Sequence, residues 1–162
     1  MVDIRTPKPD CVACTEAKQT EEPFNKTTNR VTKPSELTHI DVWGKYSIES
    51  INGNQYYTIF VDDAARYTTI NFMKKKSDAA EKVKNYLTYL KTQGNLPKAI
   101  RFDNGKEFLN QGLKDWCARQ GIDIQTTAPY SPSQNGVAER MNRTVVELAR
   151  AMINSHQLPQ FL

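Results

Sequence analysis

The sequence predicts an α/β fold: a mixed five-stranded sheet with helices on both faces. Three observations carry that expectation. Three short β-rich runs follow one another from Leu37, separated by turn signals. Two segments with helical spacing then alternate with two short apolar strands. A long segment of helical periodicity closes the chain.

Each element has a local reason. LTHIDVW, QYYTIFVD and TTINFM combine β-branched and aromatic residues. Asn52-Gly53 separates the first two, and Asp63-Ala64-Ala65-Arg66 the second and third, which suggests an antiparallel meander. Ser77 is expected to cap a helix that begins SDAAE, with Val83, Tyr86, Leu87 and Leu90 at helical spacing. Gly94-Asn95 ends it, and Pro97 follows. Ala99 to Phe102 reads as a short buried strand. Asn110 to Gln120 reads as a helix with Leu113, Trp116 and Cys117 on one face, stopped by Gly121. Ile122 to Gln125 is the fifth strand. The last helix is expected from about Gln134 or Val137 to near Ser155. At 3.6 residues per turn, Met141, Val145, Leu148 and Met152 form the stripe expected to be buried. Glu139, Arg143, Val146 and Arg150 form another. Strands in a meander followed by βαβ units give a mixed sheet.

Composition bounds the function. A length of 162 residues suits one domain with a short appendage. Hydrophobic residues at 38% and charged residues at 25% are globular values, not those of a disordered chain. The net charge of +4 permits a nucleic-acid partner without requiring one. Three cysteines argue against a disulfide framework and for a reducing compartment. No apolar run reaches the roughly 18 residues of a membrane span, so no membrane partner is expected. MVDIRTPKPD lacks the apolar core of a secretory signal. Residues 1–35 are rich in Thr, Lys, Glu, Asn and Pro and read as an extended arm, with Pro34-Ser35 as the boundary to a core at 36–162. The leading Met and the abrupt end at Leu162 suggest a piece of a larger protein.

Three acids stand out by position. Asp41 lies inside the first strand, Asp103 directly after the fourth, and Glu139 in the first turns of the last helix. A carboxylate in or at the end of a buried strand is costly unless compensated. A cation compensates it, and oxygen ligands suit Mg²⁺ or Mn²⁺. Against this, the chain holds 18 Asp and Glu residues, and Asp103-Asn104-Gly105 also reads as a turn. Ordinary capping or surface roles therefore stay open on pattern alone. Asp62 and Asp63 end a strand too, but the polar bend after them favours a solvated turn. His39 shares the strand face of Asp41 by period-two counting, where a structural or supporting role is expected. Glu139 and Arg143 stand at i,i+4, the spacing of a plain surface ion pair.

Longer motifs resolve the choice. His39-Ile40-Asp41-Val42-Trp43-Gly44 resembles the first-strand motif of copia-type retrotransposon integrases. YYTIFVDDAARY, from Tyr56 to Tyr67, resembles their second strand and turn, and Lys76-Ser77-Asp78-Ala79 their entry to the first helix. RFDNGKEF, from Arg101 to Phe108, resembles their second-aspartate motif. PYSPSQNGVAER, from Pro129 to Arg140, resembles the segment that carries their glutamate. Thirty-five residues separate Asp103 from Glu139, the spacing typical of that superfamily. The resemblance spans about residues 37–153; Phe102 and Lys106 are small departures that leave the three acids untouched.

That resemblance implies an RNase H-like fold and polynucleotidyl transfer, namely DNA 3′-end processing and strand transfer. It implies two Mg²⁺ (or Mn²⁺) ions, with Asp41 bridging them and Asp103 and Glu139 each holding one. The implied partners are double-stranded DNA, both element ends and target, and further copies of the chain in a homodimer or larger oligomer. Arg143, Arg140, Asn135 and Tyr130 are candidate DNA contacts. The nucleus is the implied place of action, with a cytoplasmic virus-like particle before import. Cys11-x-x-Cys14 supplies two zinc ligands, and the family's preceding His pair is absent. A truncated zinc module is therefore expected, with Zn²⁺ bound only by a full-length N-terminal module. An RNase H-like nuclease using the same acids and a non-enzymatic binding module are the alternatives. The D-35-E spacing with QNGVAER favours the integrase.

Overall fold

The computed structural model describes residues 31–102, 110–126, 136–159 and 161. Strand β1 (Leu37–Trp43) is central in a five-stranded sheet. It pairs antiparallel with β2 (Tyr56–Asp62), which pairs antiparallel with β3 (Thr68–Met73). On its other side β1 runs parallel to β4 (Ala99–Phe102), and β4 runs parallel to β5 (Asp123–Thr126). The order is β3-β2-β1-β4-β5. The expected meander and mixed sheet are both present.

Strand alternation divides the sheet into two faces. Ile40, Phe60, Ile100 and Phe102 point to the face covered by α1 (Ala79–Thr92) and α2 (Gln111–Gln120). They pack there with Val83, Leu87, Leu113 and Cys117, and the rings of Phe60 and Tyr86 stack with centroids 4.1 Å apart. Each large apolar side chain buried there contributes roughly 1.5–3 kcal/mol. Burial pushes the Cys117 thiol up to about 11, as expected for a cysteine enclosed in a helix face. On the opposite face, Tyr57, Ile59 and Val61 meet Val137, Met141 and Val145 of α3 (Gly136–Ser155). His39 and Asp41 pair across the sheet with Val61 and Ile59, so both stand on the α3 face.

Three local expectations are corrected. Ser77 does not cap α1: a 3₁₀ turn, Lys76–Asp78, precedes the helix. The Asp78 carboxylate reaches back to accept from the Lys75 N–H (3.2 Å) and the Ser77 hydroxyl (3.3 Å). Asp78 stands at the N-cap position of α1, and its side chain makes no capping bond to that helix. Asp63 is not a solvated turn residue. It is buried, accepts from Arg66 Nη1 at 3.1 Å, and lies 3.2 Å from His39 Nε2. The imidazole is itself buried under β1, and a polar ring there requires a partner. Asp62, in contrast, does form the turn, accepting the N–H groups of Ala64 and Ala65.

The third correction concerns the buried stripe of α3. Met141 and Val145 are half-buried, but Leu148 and Met152 are 58% and 59% exposed. Ala138, Asn142 and Val146 are the buried positions, together with Gly136 in the first turn. Val146, expected on the stripe of Glu139 and Arg143, therefore faces inward. Counting large apolar side chains misplaces the stripe. Close approach of a helix to a sheet is made by small residues, here Ala138.

α2 ends at Gly121 with φ 70°, as expected, and begins one residue later than expected, because Asn110 caps it by accepting from the Leu113 N–H (2.7 Å). At the core's start, Ser35 donates to Asp62 and accepts from the Lys98 N–H. The arm expected before it lies mostly outside the described residues. Among the described residues, no helix is long and apolar enough to cross a membrane.

Candidate active site

Asp41 sits where β1 leaves its parallel neighbour. The β1–β4 pairing runs from Leu37–Ala99 to His39–Arg101, and Asp41 lies two residues further along. The carboxyl ends of parallel strands are where sheets of this kind collect ligands. Residues Leu37 to Ile40 are buried, whereas Asp41 is half-buried, so its carboxylate meets solvent at the rim of the core.

Two groups orient that carboxylate. The Val42 N–H donates to Oδ1 at 2.9 Å. Asn142 Nδ2, arriving from α3, donates to Oδ2 at 2.5 Å. Asn142 is 1% exposed, and its own Oδ1 is buried with no hydrogen-bond partner among the described residues. Tyr57 Oη is likewise buried and unpartnered among them. The Tyr57 hydroxyl is pushed well above its usual value, first by burial and then by the charges of Tyr46 and Asp41.

Glu139 lies three residues before Asn142 on the same helix and is exposed. Residues at i and i+3 stand on one side of a helix, with Cβ atoms about 5–6 Å apart. Asn142 bonds Asp41, and Glu139 stands one helical turn before Asn142. Asp103 follows β4 directly but lies outside the described residues, as do Cys11, Cys14, Tyr130 and Asn135. Among the described residues, no three His, Cys, Asp or Glu side chains form a metal-holding group. The donors present are nonetheless all oxygen: two carboxylates and the orphaned amide of Asn142. Oxygen donors fit Mg²⁺ or Mn²⁺ and not a soft metal.

The basic candidates are exposed. Arg143 faces solvent one turn beyond Glu139, and no ion pair joins it to Glu139 among the described residues. Arg140 folds its guanidinium over the first turn of α3, where a Cβ on Gly136 would meet Nη1 at 3.0 Å. A separate cavity of about 460 Å³ opens between α3, β2, β3 and the β1–β2 connection. Tyr46, Ile48, Phe72, Val146 and Ile153 line it, and neither Asp41 nor Glu139 does.

Asn142 and Tyr57 were not singled out from the sequence. A signal for Asn142 existed: it is the one polar residue on the stripe Ala138, Asn142, Val146, spaced by one helical turn.

The chain matches the family described as integrase core domain over residues 31–132. It is 35% identical over 156 residues to the retrovirus-related Pol polyprotein from transposon TNT 1-94 of Nicotiana tabacum, covering 96% of this chain. It is 31% identical over 151 residues to the corresponding polyprotein from transposon RE2 of Arabidopsis thaliana, covering 93% of this chain. It spans only 12% and 10% of those relatives' lengths. Among solved structures, it resembles a chain of the simian T-cell lymphotropic virus intasome in complex with PP2A regulatory subunit B56 gamma. The TM-score there is 0.69 at 23% identity, covering 93% of this chain and 52% of that one. It also resembles the HTLV-2 integrase catalytic core domain in complex with magnesium, in a trimeric form. There the TM-score is 0.56 at 24% identity, covering 78% and 77% of the two chains. The fold is therefore RNase H-like, as expected.

Proposed function

The chain belongs to the integrase core domain family, as the catalytic core of a copia-type retrotransposon integrase, and from that premise we propose that it trims and joins DNA ends through a divalent-cation site on Asp41, Asp103 and Glu139. The observation that supports this is the Asn142–Asp41 bond, since the exposed Glu139 lies one helical turn before Asn142 on the same helix.

In-line attack on a phosphodiester builds negative charge on the attacking, leaving and non-bridging oxygens. When bound, Mg²⁺ or Mn²⁺ offsets that charge and lowers the pKa of water. Asp41 and Glu139 supply two of the carboxylates, and Asp103, one residue past β4, supplies the third. Two-ion binding, with Asp41 shared between the ions, fits this number of acids. No covalent intermediate on the chain is required. Double-stranded DNA ends and target DNA are the substrates, and several copies act together, in keeping with the intasome and the trimeric core that share this fold.

The direct test is cleavage and joining of a branched DNA substrate with Mg²⁺ or Mn²⁺, comparing the chain with Glu139→Gln. Activity that disappears in the variant supports the transferase, and a joined product separates it from a nuclease. Equal activity in both removes Glu139 from the chemistry. Arg143 faces DNA in this arrangement. Arg143→Ala is expected to weaken binding to element-end DNA and to reduce the slope of log affinity against log salt by about 1. An unchanged salt slope in a filter-binding titration would remove Arg143 from the interface.

A further inference from the structure

We propose that Trp43 is a base-stacking residue beside the cation site: its indole lies against an unpaired base of the DNA end whose phosphate is held at Asp41. This rests on the cation site proposed above. Trp43 is the last residue of β1, two positions beyond Asp41. Asp41 pairs across the sheet with Ile59 and Trp43 with Tyr57, and both partners belong to the cluster under α3. Trp43 and Asp41 therefore stand on one face, about 6.5–7 Å apart along the strand.

An aromatic on that face is normally buried, and Tyr57 is only 6% exposed. Trp43 is 41% exposed. Among the described residues it belongs to neither hydrophobic cluster, nor does it line the cavity beside α3. A single exposed apolar side chain is ordinary. This one differs in its setting, on the face of the reacting carboxylate and among free cations. Lys45 follows two positions on, and Arg143 stands one position past the Asn142 that bonds Asp41. Both are exposed, and neither joins an ion pair among the described residues. An aromatic face among cations is the composition that binds unpaired nucleotides: the cations take backbone phosphates, and the ring takes a base of any sequence. Inside a duplex, neighbouring bases cover each other's faces. The base next to a phosphate at Asp41 offers its own face only when its pair is opened.

The test is fluorescence anisotropy with two labelled duplexes of equal length, one blunt and fully paired, the other splayed by mismatches at its end. Titrations are run in Ca²⁺, which takes the same oxygen donors as Mg²⁺. The parent is expected to prefer the splayed end. Trp43→Ala should weaken binding to that end by about 5–150-fold, and to the blunt end by less than about twofold. Trp43→Phe keeps a ring and should recover most of the affinity. Trp43→Leu keeps only apolar bulk and should not; it also carries the test if melting shows the alanine variant unfolded. Equal losses on both ends, or parental affinity in the leucine variant, overturn the proposal. Trp116→Phe leaves Trp43 as the one remaining tryptophan of two. Its emission should be quenched by the splayed end and not by the blunt one, and unchanged emission also overturns the stacking. The cation site is decided separately, by cleavage in Mg²⁺. A Glu139→Gln variant as active as the parent removes the phosphate from Asp41, and the stacking falls with it. A Trp43→Ala variant that binds both ends like the parent overturns the stacking and leaves the carboxylates in place.

Discussion

Asp41→Asn is expected to lower metal-dependent DNA cleavage and joining by about 1000-fold or more while leaving the fold intact. The substitution keeps the size of the side chain and removes its charge. The new amide oxygen can still accept from Asn142 Nδ2, which now donates at 2.5 Å. The new amide NH₂ then faces the Val42 N–H, which donates to Asp41 at 2.9 Å, so one local hydrogen bond is lost. That costs about 1 kcal/mol of stability, too little to unfold a domain. A suitable control is Asp63→Asn, which alters the carboxylate between His39 and Arg66 at the turn before β3. It should lower stability and spare the activity. The comparison needs a rate assay and a denaturation curve on each variant. Comparable activity loss in both would mean that loss of charge anywhere near β1 is harmful, and Asp41 would lose its special role.

The largest expected effect on stability comes from Gly44→Ala. Gly44 follows β1 with φ +129°, a conformation that side chains rarely adopt. A Cβ there would lie 2.6 Å from the Gln55 carbonyl oxygen and 2.7 Å from Tyr56 Cδ1. Neither can easily move. The Gln55 carbonyl accepts from the Tyr46 N–H at 2.9 Å, and Tyr56 starts β2. Strain and overpacking together should cost about 3 kcal/mol. Gly94→Ala is the internal comparison, since Gly94 has φ +70° but nothing within 4 Å of its added Cβ. It should cost about 1 kcal/mol, from backbone conformation alone. Urea denaturation with unchanged m-values reads both. Equal losses at the two positions would show that backbone conformation, not the close approach of Gln55, governs Gly44.

Much of the architecture was legible because it is written in short-range pattern. The three strands of the meander, Ala99–Phe102, and the caps at Asn110 and Gly121 follow from β-branched runs and cap residues that act within a few positions. Of the candidate site, the motifs named three acids; Asp41 lies in β1, bonded to Asn142 of α3, and Glu139 lies three residues before Asn142 on that helix. Ser77 and Asp63 were misjudged for a shared reason. Each belongs to a polar turn whose outcome depends on which acceptor a neighbouring donor reaches, and that is decided by distance after folding.

The amino-acid sequence by itself determined the order of elements and the family, since each is carried by residue type and spacing along one segment. The face that α3 buries and the partner of Asp41 were decided only by tertiary structure. Asn142 stands 101 positions from Asp41, and no local rule couples residues so far apart. They meet because α3 packs Val137, Met141 and Val145 against β2 with the small Ala138 fully buried beside them, which turns Asn142 inward and leaves Leu148 and Met152 outside.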